Sequence, residues 1–127
     1  MPITIELRED NHVIYTKISD PVAIADFDHA TAVFTPIYDK APGKIHHVVN
    51  TSEMRRVPSG LLRIRMNTPI LQHPNRGQLA LVGTNSFLRS IGELMFRLTH
   101  FETGRFFTTD DEAWAYLRTA IADENQF

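Results

Sequence analysis

The sequence predicts an α/β fold: a mixed, mostly parallel sheet of about five strands with about four helices, in the order β-β-α-β-α-β-α-β-α. Three observations lead there. Apolar residues alternate between Ile3 and Ile18 in two runs split by a polar turn. Beyond that, the apolar period shifts to three or four residues and then switches repeatedly between the two patterns. The later strand-like runs from Ile45 to Val49 and from Gln78 to Val82 are short and largely apolar, as inner parallel strands are.

The elements follow in order. Ile3, Ile5 and Leu7 alternate with Thr4, Glu6 and Arg8, giving a strand with one buried face. Glu9-Asp10-Asn11 has turn chemistry. His12 to Ile18 is the second strand, with Val13, Tyr15 and Lys17 on one face and Ile14, Thr16 and Ile18 on the other; the pair forms a hairpin. From Ile24, residues at Phe27, Ala30 or Thr31, Phe34 and Tyr38, three to four apart, mark a first helix. Asp26 and Asp28 suit its positive end, and Pro36 is expected to kink or end it. Ile45 to Val49 is a third strand, closed by Asn50-Thr51-Ser52. A second helix begins near Ser59-Gly60 and carries Leu61, Leu62 and Met66.

His73-Pro74-Asn75-Arg76-Gly77 is a turn, and Gln78 to Val82 a fourth strand. A third helix puts Phe87, Leu88, Ile91, Leu94, Met95 and Leu98 on one stripe and Arg89, Glu93 and Arg97 on the other. Arg105 to Thr108 is a fifth strand. Thr109 and Glu112 form a capping box ahead of a last helix buried through Ala113, Trp114, Leu117, Ala120 and Ile121. Residues 1–127 read as one domain, without repeat or linker.

Composition narrows the function classes. The chain has 127 residues, 43% hydrophobic and 22% charged, enough to bury a core without staples. Cys is absent, which excludes disulfides, thiolate metal sites and a cysteine nucleophile. No apolar run approaches the ~18 residues of a membrane span, and the first residues alternate rather than forming a signal sequence. A cytoplasmic protein is the expectation. Net charge is −2, unevenly spread. Residues 41–100 carry 8 basic and 2 acidic side chains, while both flanks are acidic. Two readings stand: the middle faces an anionic partner, or it neutralises the flanks within the fold.

The element order, together with Val48-Val49-Asn50-Thr51-Ser52 leading to Pro58-Ser59-Gly60-Leu61-Leu62, resembles the STAS domains of anti-sigma-factor antagonists. In that family an Asp-Ser-Ser-Gly-Leu-like element opens a helix and its serine accepts phosphate. Here Ser59-Gly60-Leu61 matches, Pro58 precedes the serine, and the Asp is missing. Pro58-Ser59-Gly60, His73-Pro74-Asn75, Val82-Gly83-Thr84-Asn85-Ser86-Phe87 and Glu112-Ala113 through Leu117 are together similar to bacterial STAS/SEC14-like proteins. The resemblance covers most of the chain. It implies a STAS-like regulatory or protein-interaction module, with Ser59 as candidate phosphoacceptor and with a protein partner or self-association. The SEC14-like side implies the alternative, a small-ligand binding domain for a lipophilic or anionic molecule.

The residues also suggest where a ligand would sit. In open α/β sheets ligands lie beyond the carboxyl ends of parallel strands. Ser59-Gly60, Thr84-Asn85-Ser86 and Thr108-Thr109 follow three such ends, and Arg55 and Arg56 feed the first. Free N–H groups at helix starts there favour a phosphate or carboxylate; ordinary N-caps need the same residue types. Six histidines show no i, i+4 pair and no HExxH, so no metal is expected. His46 and His47 are adjacent in a strand and should face opposite ways. No nucleophile elbow, Walker loop or dinucleotide fingerprint appears, so no catalytic residue and no cofactor are assigned, and an enzyme of unknown class stays as a further alternative. Phe106, Phe107 and Trp114 suit a core better than base stacking, so no nucleic-acid partner is expected.

Overall fold

The computed structural model describes residues 3–8, 12–54, 74–83, 89, 90, 93, 97 and 104–124. Strands β1 (Ile3–Arg8) and β2 (Val13–Ser19) form the expected antiparallel hairpin, with Ile3 opposite Ile18 and Arg8 opposite Val13. Strands β3 (Ile45–Glu53), β4 (Arg76–Val82) and β5 (Gly104–Phe107) extend it. Spatial order follows chain order, β1-β2-β3-β4-β5. The pairings β2–β3, β3–β4 and β4–β5 are all parallel, so four strands share one direction and the sheet is mixed.

A helix covers each face. Helix α1 (Ile24–Lys40) packs Ala30, Phe34 and Tyr38 against Ile3, Ile14, Ile18 and Ile45. Helix α2 (Asp110–Glu124) packs Ala113, Trp114 and Leu117 against Val13, Tyr15, Val48, Ala80 and Val82 on the other. Alternation along β2 explains the two layers: Val13 and Tyr15 point to α2, Ile14 and Ile18 to α1. His46 and His47 obey the same rule. The His46 ring lies against Gly77 and accepts the Gln78 N–H at Nδ1 (2.8 Å); the His47 ring meets Phe34 edge-on.

Two of the four expected helices are described in full. The second falls on residues outside the described set. The third is represented by Arg89, Ser90, Glu93 and Arg97, which are helical and exposed, as its polar side requires. Arg89 pairs with Glu93 one turn on and covers the Phe106 ring from 5.2 Å.

The structure corrects three boundaries. Pro36 does not end α1, which runs on to Lys40. The proline sits on an exposed side of the helix, and its last turn is secured from outside. The Ala41 N–H and the Asn75 side-chain amide both donate to the Tyr38 carbonyl, at 3.3 and 2.9 Å. Strand β3 continues through Asn50, Thr51 and Ser52 to Glu53, with the Thr51 hydroxyl bonded to the Val82 carbonyl of β4 and the Asn50 amide nitrogen bonded to the Tyr15 Oη of β2 and to Asp110. Thr108 lies just past β5, which stops at Phe107.

Gly77 permits the close approach of β4 to His46. A Cβ there would stand 2.7 Å from His46 Cε1, whereas one at Gly43 would meet nothing within 4 Å. Gly77→Ala should therefore cost roughly 1 kcal/mol in overpacking. Gly43→Ala serves as the neutral control in urea denaturation. Equal midpoints for the two variants would refute this packing role.

Candidate functional site

The carboxyl ends of β2 and β3 meet the first turn of α2, and a compact polar cluster joins them. Tyr15 and Asn50 project from neighbouring strands toward the α2 face, and both are buried. Asp110 is the first residue of α2. The Tyr15 hydroxyl donates to Asp110 Oδ2 at 2.8 Å. The Asn50 Nδ2 donates to Asp110 Oδ1 at 2.9 Å and to the Tyr15 Oη at 3.3 Å. The Asn50 Oδ1 accepts the Ser52 N–H at 2.9 Å and the Ser52 hydroxyl at 2.6 Å. Each group thus satisfies another, as a buried polar network must.

This arrangement fixes geometry more than it prepares chemistry. Burial, then the bond to Asp110, raises the Tyr15 pKa above its ordinary value. The phenol therefore stays protonated at neutral pH and serves as a donor. The Ser52 hydroxyl donates to an amide oxygen, which is not a base able to activate it. Arg8 caps the cluster's outer side, 4.5 Å above the Tyr15 ring and 5.5 Å from Trp114, while Tyr15 and Trp114 stack at 6.0 Å. At the rim, Lys17 and Glu53 form an exposed ion pair of 3.1 Å, and the bond to Glu53 raises the Lys17 pKa.

Two of the nine residues expected on a ligand edge are described. Thr108 and Thr109 are exposed between β5 and α2. Thr109 acts as the predicted cap: its hydroxyl accepts the Glu112 N–H at 3.3 Å and contacts the Glu112 carboxylate at 3.3 Å. At this position the ordinary cap accounts for the residue. Arg55, Arg56, Ser59, Gly60, Thr84, Asn85 and Ser86 lie outside the described residues. Of the rim, Gly83 is seen at the end of β4. Its N–H bonds the Phe107 carbonyl at 3.1 Å, and a Cβ there would stand 2.5 Å from Thr51 Oγ1.

Sequence reasoning missed Tyr15, Asn50 and Asp110 as a unit. The available signals were an amide at a strand end and an acid directly after a cap, each of which has a local explanation. Among the described residues, no group of three His, Asp or Glu side chains could hold a metal, and no helix is long and apolar enough to cross a membrane. No family model, curated protein or solved structure matches the chain.

One groove opens at the opposite rim, between the end of α1 and the end of β1, with a volume of about 440 Å³. Leu7, Pro36, Ile37 and Ile45 supply its apolar wall, and Lys40 and Lys44 stand at its edge.

Proposed function

We propose that the chain is a non-enzymatic regulatory or protein-interaction module of STAS-like type, presenting the carboxyl rim of its parallel strands to a protein partner. The observation that supports this most is the Tyr15–Asn50–Asp110 lock. It fixes the tip of α2 to β2 and β3, so that Thr108, Thr109, Lys17 and Glu53 stand on a rigid edge. A prepared surface of this kind favours recognition, since less ordering entropy is lost on binding. The lock's members saturate one another, which favours binding over catalysis. Ser59 remains the candidate phosphoacceptor: at the helix start that the sequence predicts there, a phosphate would add charge without breaking the helix.

Immobilised chain should retain one protein from its host's extract, identified by mass spectrometry. Ser59→Asp or Lys17→Glu should change that affinity by about tenfold or more while the circular dichroism stays unchanged. A partner indifferent to both variants would overturn the reading. Retention of no protein, with a lipophilic or anionic molecule seen on the chain by native mass spectrometry, would replace it with small-ligand binding.

A further inference from the structure

Two large apolar side chains among the described residues are exposed, Leu7 at 43% and Val33 at 47%. Both belong to one flank. Leu7 and Ile37 share the groove between β1 and α1, and Val33 lies one helical turn before Ile37. One turn of helix and two residues of strand cover similar lengths, about 6 Å each. Val33 therefore sits level with Ile5.

This flank is self-complementary about that level. On β1, Ile3 and Leu7 are equidistant from Ile5 on the α1 face, and Thr4 and Glu6 alternate with them on the other. On α1, Asp26, His29, Val33, Ile37 and Lys40 follow at spacings of three and four, which makes one continuous stripe. It is acidic at its start, apolar at its centre and basic at its end. Reversing a copy of the stripe about Val33 sets Asp26 against the partner's Lys40. Lys40 forms none of the ion pairs seen among the described residues.

β1 is also an open edge. It bonds β2 on one side, and among the described residues no strand bonds the other. Its pairing with β2 runs without a register shift, and it has no proline within Ile3–Arg8. Two of the usual devices that blunt an edge strand, a bulge and a proline, are thus missing from Ile3–Arg8, and its charges, Glu6 and Arg8, pair with each other. The opposite edge, β5, has four residues.

We infer that two copies of this chain associate through β1 and α1 about a twofold axis passing between Ile5 and Val33, joining their sheets into one of ten strands. In this register Ile5 opposes the partner's Ile5, Ile3 opposes the partner's Leu7, and Thr4 opposes the partner's Glu6. A shift to centre on Glu6 would oppose two carboxylates and is disfavoured. α1 packs over β1 and β2, so pairing the two edge strands at about 4.8 Å sets the two α1 helices side by side on one face of the joined sheet. The Val33 side chains then meet on the axis. The contact is isologous, the commonest form of homodimer. It uses the α1 face, whereas the polar lock lies on the α2 face, so it stands whether or not the rim binds a partner.

Light scattering after size exclusion should give twice the 14.5 kDa chain mass. Because the protein has no cysteine, Val33→Cys gives a clean probe. Mild oxidation or a short bismaleimide should link it into covalent dimers. Val33→Glu, at an exposed site, should leave the circular dichroism unchanged and produce monomers. Lys40→Glu should weaken association by about tenfold through repulsion by the partner's Asp26. A monomeric wild type at about 100 μM, or a dimer that Val33→Cys fails to link and Val33→Glu leaves intact, would overturn the inference.

Discussion

Replacing Asp110 with Ala should lower the unfolding free energy by about 3 kcal/mol, because one substitution strands two buried donors. The carboxylate accepts from the Tyr15 hydroxyl on one oxygen and from the Asn50 amide on the other. Neither donor has an easy escape to water, since Tyr15 and Asn50 are 9% and 6% exposed. Hydrogen bonds to a charged acceptor contribute about 1.5 to 3 kcal/mol each, and the loss of the acceptor also leaves desolvated groups unpaired. Tyr15→Phe should cost less, about 1 kcal/mol, because the half-exposed Asp110 keeps its bond to Asn50 and can turn to water. The double variant should fall short of additivity by about 1 kcal/mol or more, since both changes remove the same bond. Urea denaturation of the wild type, both single variants and the double variant measures all of this. An Asp110→Ala variant within about 0.5 kcal/mol of wild type would show that α2 is held by its apolar stripe alone.

The contrast between that stripe and the lock explains what the sequence could reveal. Patterns local in the chain were legible. The two faces of β2 and the opposed rings of His46 and His47 follow from a period of two, and the Thr109–Glu112 cap from its own spacing. Along β1 the alternation holds but the expected buried face does so only at Ile3, since Ile5 is partly buried and Leu7 is 43% exposed. The parallel direction of the inner strands followed from their alternation with helices. Features that depend on distant partners were not legible. Asn50 reads locally as a strand terminator, yet its amide is claimed by Asp110, sixty residues away. Pro36 reads as a helix end, yet Asn75 holds the turn beyond it. Asp110 reads as a dipole-favoured acid, and only the approach of α2 to β2 gives it Tyr15. The sequential order of the strands is likewise a property of crossovers, which residue patterns do not encode.

His47 supplies the second large effect, and its sign can be worked out. The ring is buried between β3 and α1, with Nε2 2.8 Å from the Thr16 hydroxyl and the Phe34 ring 4.7 Å away at 85°. No carboxylate bonds it among the described residues. Burial pushes its pKa down from 6.5 to about 3. The folded protein therefore keeps this ring neutral over a range where the unfolded chain binds a proton. Stability from this group is complete above pH 6.5 and falls as the pH drops toward 3. Each pH unit within that window removes about 1.4 kcal/mol, so the loss between pH 7.5 and pH 5 should be about 2 kcal/mol. His47→Gln keeps a polar group for Thr16 without the titration. It should be less stable at pH 7.5, yet lose about 2 kcal/mol less than wild type on acidification to pH 5. Urea midpoints at the two pH values measure the difference, and the other histidines cancel because both proteins contain them. Equal losses in the two proteins would mean that His47 is already free to ionise in the native state. The close contact with Phe34 and the seclusion of this face beneath α1 would then have to relax at acid pH.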